Sequence, residues 1–318
     1  MANSSHNRYE YVAVGHVTRD VIEGRAGKAV SQAGGGAFYS GLQAARLGLR
    51  TLIVTQGVPR EIYALLEPFS DEFDLRVIPA PHTTTFATSW VGEERFQRVL
   101  AWAGPISQTL EIHTSVLHLA PVARELPIRW DGTARFVGIT PQGLMRRWRE
   151  GDEPSLAQLD TGSLLGDVPL VASGQETLTG DVSPVELDPG ALPERFDAAV
   201  ISEHECAGCH ALFTAARRGG AYVAVTAGSR PATVHLPPGR SPSVVQTAQP
   251  RAVKPRGDLG AGDVFAAAFF VALTEGQSAL VAATFGNAAA EVRIAGEGPR
   301  SVGTRAEIDA ASHSLHRK

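Results

Sequence analysis

The sequence is poor in the features that mark the commonest charged or membrane partners. Lysine occurs only as Lys28, Lys254 and Lys318, no block of Lys and Arg stands anywhere, and the formal net charge is −4. No nucleic acid is expected as a partner of such a chain. Two cysteines in 318 residues supply no disulfide framework. The longest unbroken apolar run, Val264 to Leu273, falls well short of the ~20 residues a bilayer span needs, so no membrane is expected either. The opening MANSSHNRYE is polar and has no apolar leader core, which makes a cytoplasmic location the expectation. Two nucleotide-loop patterns are missing. No lysine follows a G-x-x-x-x-G run, and G-x-G-x-x-G fails at Tyr39 after Gly34-Gly35-Gly36 and at Phe265 after Gly260-Ala261-Gly262. A hydrolase has no G-x-S-x-G elbow to use.

What is present is core-forming material. Apolar residues make up 43% and charged residues 19%, enough for one large domain over 1–318. Strands are expected at 9–15, 50–56, 74–79, 116–122, 135–140, 197–202 and 221–228. Helices are expected at 35–48, 58–66, 205–218, 261–275 and 277–295. Their alternation predicts an α/β fold, a doubly wound and mainly parallel sheet with helices on both faces. Residues 83–91 and 94–102, rich in β-branched and aromatic types, read as a hairpin turning at Gly92, a lid or an edge. Residues 151–196 show no period and read as a long irregular insertion without an assignable job.

One short stretch carries chemistry. In GDLGAGDVF (257–265) two glycines precede an acid at the mouth of an apolar helix. Gly260 and Gly262 permit close backbone approach. The N–H groups of Gly260, Ala261 and Gly262, with the helix dipole, form an anion site suited to phosphate. Asp263, in the first turn, is then placed to accept a proton from an attacking hydroxyl, and the dipole is expected to keep it ionised. A plain helix cap in which Asp263 satisfies N–H groups fits the same residues.

GAGDVFAAAFF resembles the second signature, D-T-x-G-A-G-D-x-F, of the ribokinase-like (PfkB) carbohydrate kinases. In the order of that family, VAVGHVTRD (12–20) is similar to its first strand and AGGGAFYSGLQAARLG (33–48) to its glycine-rich first signature. ISEHE (201–205) stands where the family has Asn-x-x-Glu, and VTAG (225–228) matches its Thr-x-Gly strand. The resemblance implies the ribokinase-like fold with a small or reduced β lid, since only about a dozen residues separate Asp20 from the glycines. It implies Asp263 as catalytic base, with Gly260, Ala261 and Gly262 as anion hole. Asp20 would bind two hydroxyls of a polyol, a pairing that suits a carboxylate, and Gly34 and Gly35 would let the substrate approach the backbone. Thr226 and Gly228 would line the ATP site, Asn287 would lie near the adenine, and Glu205 would help place Mg²⁺ through water. ATP is the implied co-substrate, and a monomer or homodimer the expected assembly.

The chain departs from the pattern at Ser202, where Asn is usual, and at Gly257, where Asp is usual. Tyr39 sits near a position where ribokinases carry a substrate-binding Asn, which argues against ribose. The middle stretches TTTFATSW, RFQRVLAWA, VLHLAPVARELP and VGITPQGLMRRW resemble an inositol kinase subgroup. The implied activity is ATP-dependent phosphorylation of a small sugar or cyclitol, myo-inositol first, with Gln97 and Gln142 as further hydroxyl-binding groups. A furanose or nucleoside kinase, and a non-catalytic polyol- or nucleotide-binding relative, stay open as alternatives. Cys206-Ala207-Gly208-Cys209-His210 spells the c-type haem pattern but has no export signal beside it. As a zinc site, His204, Cys206, Cys209 and His210 come from too short a segment to close a tetrahedron. Arg146 and Arg147 with Arg149 could reach a phosphate, but read rather as a solvated helix face.

Overall fold

A computed structural model describes residues 9–23, 29–91, 94–125, 129–146, 178–179 and 186–315. Its first strand, β1 (Tyr9–Val14), shows how the layers arise. Tyr11 and Ala13 turn to one face of the sheet and Val12 and Val14 to the other, and all four are buried. A strand apolar on both faces is what a sheet covered by helices on both sides requires.

The chain continues through β2 (Thr18–Glu23), β3 (Ala29–Gly34), α1 (Gly36–Arg46), β4 (Thr51–Gly57), α2 (Pro59–Leu66) and β5 (Asp74–Pro79). Next come β6 (Thr85–Val91), β7 (Glu94–Ala101), β8 (Thr109–Leu119), β9 (Arg129–Ile139) and β10 (Leu178–Thr179). The last part holds β11 (Ala198–Ser202), α3 (His210–Gly219), β12 (Tyr222–Ala227), β13 (Arg230–His235) and β14 (Val244–Gln246), then α4 (Ala261–Thr274), α5 (Ala279–Ala295) and α6 (Arg305–Leu315).

The main sheet has the order β14-β13-β12-β11-β9-β8-β1-β4-β5, parallel from β12 to β5 with an antiparallel edge. After β1 the chain builds outward through β4 and β5, then returns to β8 on the other side of β1. That reversal is a topological switch point, where α/β sheets hold ligands beyond their strand ends. Helices α1, α2, α4, α5 and α6 bury residues on one face and α3 on the other. Helix α4 buries nine consecutive residues, Val264 to Ala272, so it is a core helix and not an amphipathic surface one.

A second sheet, β10-β7-β6-β2-β3, stands beside the strand ends. It has five strands, of which the stretch between Asp20 and the glycines supplies only β2 and β3. The expected hairpin forms its centre, with β6 parallel to β2 and antiparallel to β7; residues 92–93, where the turn was expected, lie outside the described residues. Most of the 151–196 insertion also lies outside them. The link from β1 to β2 is tightly held. His16 N–H donates to Glu125 Oε1 (2.9 Å), Val17 N–H to Thr55 Oγ1 (2.7 Å), and His16 Nδ1 meets Thr84 Oγ1 (2.8 Å). Buried Glu125 also accepts from Val122 N–H (2.7 Å) and Ala123 N–H, which fixes the turn after β8.

The sequence pattern places most elements within a few residues. It does not find β2, β3, β13, β14 or α6, whose short or polar stretches carry little periodicity. The helix expected at 205–218 is two pieces, a 3-10 turn Glu203–Gly208 and then α3. A capping box explains the early start: Glu205 accepts from the Ser202 N–H (2.6 Å) while the Ser202 side chain takes the N–H of Glu205. Cys209 falls at the junction, buried against Met145. Among the described residues no cluster of three or more His, Cys, Asp or Glu is arranged to hold a metal.

Candidate active site

A cleft of about 360 Å³ opens where β8, β9, β11 and β12 end and residues of the second sheet face them. The amino end of α4 forms its floor. Asp263 is in the first turn of that helix, as expected, with Gly260 as the N-cap. Gly260 has φ +79°, and a Cβ there would lie 2.2 Å from Tyr39 Cγ, so turn geometry and packing both demand glycine. Gly262 differs. It is exposed to the cleft, and a Cβ would meet nothing within 4 Å. The Ala261 N–H donates to Asp258 O (3.1 Å), so that group of the expected anion hole is taken up within the turn. The first bond closed by the helix runs from Val264 N–H to Gly260 O (2.9 Å). The N–H groups of Gly260, Gly262 and Asp263 therefore have no intrahelical acceptor.

Asp263 lines this floor and is only partly exposed. Burial pushes its carboxyl up to about 7; Arg146 draws it down, and Glu205 and Asp20 push it further up. The expectation that the dipole keeps the acid fully ionised is therefore corrected. Around a carboxyl enclosed on most sides, desolvation exceeds the dipole's effect, which is worth ~1 kcal/mol at an exposed site.

The second sheet supplies the facing wall. Asp20 is 5% exposed, lines the cleft and accepts from Thr18 Oγ1 (2.8 Å). Gly34 makes room for it: a Cβ at Gly34 would lie 2.0 Å from Asp20 Oδ2. So Gly34 serves the acid and is not on the cleft wall, while Gly35, with φ +96° and no room for a Cβ beside His16 O, is on it. Gln97 is buried at the cleft and is no surface residue. Its Nε2 donates to Thr88 Oγ1 (3.3 Å) and its Oε1 accepts from Arg146 Nη2 (3.0 Å). Gln142 is exposed and lines the same cleft, on the turn after β9. Nearby, Thr140 Oγ1 is held by His118 Nε2 (3.1 Å), an imidazole kept neutral because burial pushes its pKa down to about 3.

Arg146 corrects a second expectation. It is not part of a solvated helix face. Its Nη1 donates to Val122 O (2.9 Å), and its guanidinium sits 5.1 Å from the Phe86 ring centre. It ties the second sheet to the main body beside Asp263. Arg147 and Arg149 lie outside the described residues. Nothing local in the sequence separates Arg146 from its neighbours, because its partners are 24, 49 and 60 positions away.

On the remaining side Ser202, Glu205, Thr226 and Gly228 line the cleft. Glu203 pairs with Arg230, and Thr226 Oγ1 donates to Ile201 O (3.3 Å). Asn287 is not brought to the cleft wall; its Nδ2 donates to Thr247 Oγ1 (2.9 Å). Gly257, where the resemblance led us to expect an acid, contributes a carbonyl instead, 3.5 Å from Arg293 Nη1.

The model described as pfkB family carbohydrate kinase matches residues 193–305, the part that holds Glu205, Thr226 and the 257–263 turn. No curated protein matches the chain. Several solved structures do. One is a pyrophosphate-dependent myo-inositol-1 kinase converted into a myo-inositol-3 kinase by a double substitution, at 18% identity, covering 96% of this chain and 99% of that one with a TM-score of 0.67. Ribokinase from Arabidopsis thaliana, complexed with ribose and ATP, shares 16% identity over 96% of this chain and 98% of its own, TM-score 0.63. Fructokinase from Vibrio cholerae O395, bound to fructose, ADP and calcium, shares 18% over 95% and 98%, TM-score 0.61. At such identities the likeness is one of fold, and that fold is ribokinase-like. The family match over 193–305, taken with this fold, gives the enzyme class as a phosphotransferase of the carbohydrate-kinase kind with a hydroxyl as acceptor.

Proposed function

We propose that the protein is an ATP-dependent kinase that transfers the γ-phosphate to a hydroxyl of a small sugar or cyclitol, with myo-inositol the preferred acceptor. One observation carries the reading. Asp263 stands between free N–H groups of a helix start on one side and the acceptor-type groups Asp20, Gln97 and Gln142 on the other, in a single cleft. A carboxyl with a pKa near neutrality is matched to taking a proton at working pH.

On this reading the acceptor's hydroxyls bond to Asp20 and the glutamines, which orients one of them toward Asp263. As that oxygen attacks phosphorus, Asp263 takes its proton and the bond to the leaving diphosphate breaks. The N–H groups of Gly260, Gly262 and Asp263 hold the oxygens of the transferred group, where charge builds. Arg146 braces Gln97 and keeps a positive charge near the acid. The donor set also fits magnesium. With no protein cage of three ligands among the described residues, the ion would draw mainly on phosphate oxygens and water, and Glu205, one of whose oxygens already accepts from Ser202 N–H, would hold it through water. When bound, magnesium supplies charge neutralisation on the donor phosphates. The subgroup reading draws on the similarity to the myo-inositol kinase structure, together with an acceptor wall of one carboxylate and two amides.

A second reading keeps the acceptor and changes the donor to pyrophosphate. Several of the similar structures are described as pyrophosphate-dependent kinases, which supports it. Product assays separate the two. ADP from ATP, and orthophosphate from pyrophosphate, would be followed with myo-inositol, ribose, fructose and adenosine. Turnover on myo-inositol with ATP is the expected result. Folded wild-type protein that turns over none of these acceptors with either donor would refute the kinase assignment for this acceptor class.

A further inference from the structure

Arg293, near the end of α5, is 1% exposed. Its Nη2 donates to Leu259 O (2.7 Å) and approaches Tyr39 Oη (3.3 Å), while its Nη1 donates to Ser301 Oγ (3.1 Å) and reaches Gly257 O (3.5 Å). Its Nε has no partner. The guanidinium lies 5.2 Å from the Tyr39 ring centre, and that ring covers Gly260. Partly buried Arg46, by contrast, pairs with Glu72, and buried Glu291 is matched by Arg251. Among the described ion pairs none includes Arg293.

A desolvated charge without a counter-charge costs several kcal/mol, and stability alone is better served by an apolar side chain of similar volume. The contacts point to what is gained instead. In a trans peptide the C=O of one residue and the N–H of the next point in opposite directions. Drawing the Leu259 carbonyl back onto Arg293 therefore turns the Gly260 N–H forward. Tyr39, stacked between the guanidinium and Gly260, keeps the left-handed turn in place. The positive charge also adds to the partial charge of the α4 amino end.

We propose that Arg293 is the positioning residue of the anion site: it pins the carbonyls of Gly257 and Leu259 behind the turn and sets a fixed positive charge there, which a phosphoryl group on Gly260–Asp263 balances. This rests on the reading that the transferred group sits on those N–H groups. The test uses Arg293→Met, which keeps volume without charge, and Arg293→Lys, which keeps charge but not the fork that reaches several acceptors. Inorganic phosphate binding is measured without acceptor, and kcat and both KM values are measured in turnover.

Arg293→Met is expected to lose phosphate affinity by about tenfold or more and kcat by ~10²-fold. The acceptor KM should stay unchanged. Arg293→Lys is expected to fold and to lose about tenfold in kcat without a change in acceptor KM. If Arg293→Met does not fold, Arg293→Lys decides alone. Wild-type kcat and phosphate affinity in either folded variant overturn the proposal, as does an equal loss in acceptor and donor KM. Failure of the underlying reading looks different: the wild type itself then neither binds phosphate nor turns over.

Discussion

The floor and the wall of the cleft are built in opposite ways. The floor, residues 257–263, is one continuous turn entering α4, and its donors and its acid are neighbours in the chain. The wall gathers Asp20 from β2, Phe86 from β6, Gln97 from β7, and Gln142 and Arg146 from the segment after β9. A local turn can be carried by a short motif because backbone geometry and the helix dipole enforce it. The wall exists only after two sheets have met, so its specificity can change by single substitutions that leave the floor intact.

The sharpest way to test that division is Asp263→Asn. We expect ~10²–10⁴-fold lower kcat with acceptor affinity retained, measured by steady-state kinetics and calorimetric binding. Loss of binding together with rate would mean that floor and wall are not separable. Arg146→Gln addresses the wall. Freed of its brace, Gln97 should bind acceptor about tenfold more weakly. The same change removes the cation that lowers the Asp263 pKa, so the acid limb of the rate profile should move to higher pH. An unchanged acceptor KM would show that the tie between Arg146 and Gln97 has no bearing on substrate.

Within the floor, the two glycines should part company. Gly260→Ala meets Tyr39 and a left-handed φ, and should cost ~1–3 kcal/mol of stability by chemical denaturation. Gly262→Ala meets no protein atom and should be close to neutral in stability, yet weaken donor binding, because the only thing its methyl can obstruct is a ligand. Equal destabilisation of the two would make Gly262 structural. For wild type, kcat/KM should fall below about pH 7 as Asp263 takes a proton.

The smallest effect is on stability. The Asp263 pKa is raised in the folded state, so its contribution to stability is fully present below the unfolded value and is lost as pH rises through about 7. Asp263→Asn should therefore melt a few degrees above wild type at pH 8, with the gap narrowing toward pH 5. A constant gap would mean that the acid titrates elsewhere.

The strands that form the parallel sheet were legible because burial on both faces makes them short apolar runs, and α4 because its run is uninterrupted. The polar second sheet was only half legible: β6 and β7 showed their β-branched residues, while β2 (TRDVIE) mixes charged with apolar residues and β3 is exposed over its first half, so neither shows a pattern. Residue by residue the site divides the same way. Asp263, Asp20 and Glu205 could be named from short motifs. Arg146 was misread, since a charged residue among arginines looks solvated until the chain folds Phe86 beneath it. Gly34 was placed against substrate when Asp20 occupies that space.

By itself the sequence determined the fold class, because strands covered on both faces are short apolar runs that alternate with helices, and the glycine-flanked turn with its acid, because backbone geometry over a few residues decides both. Only the tertiary structure decided the protonation of that acid and the partners of its two arginines. Those depend on how much protein surrounds a charge and which distant groups reach it, and neither quantity is written in local order. Arg293 is the clearest case, an arginine in a helix sequence that becomes, once buried, a charge held behind the turn by two backbone carbonyls.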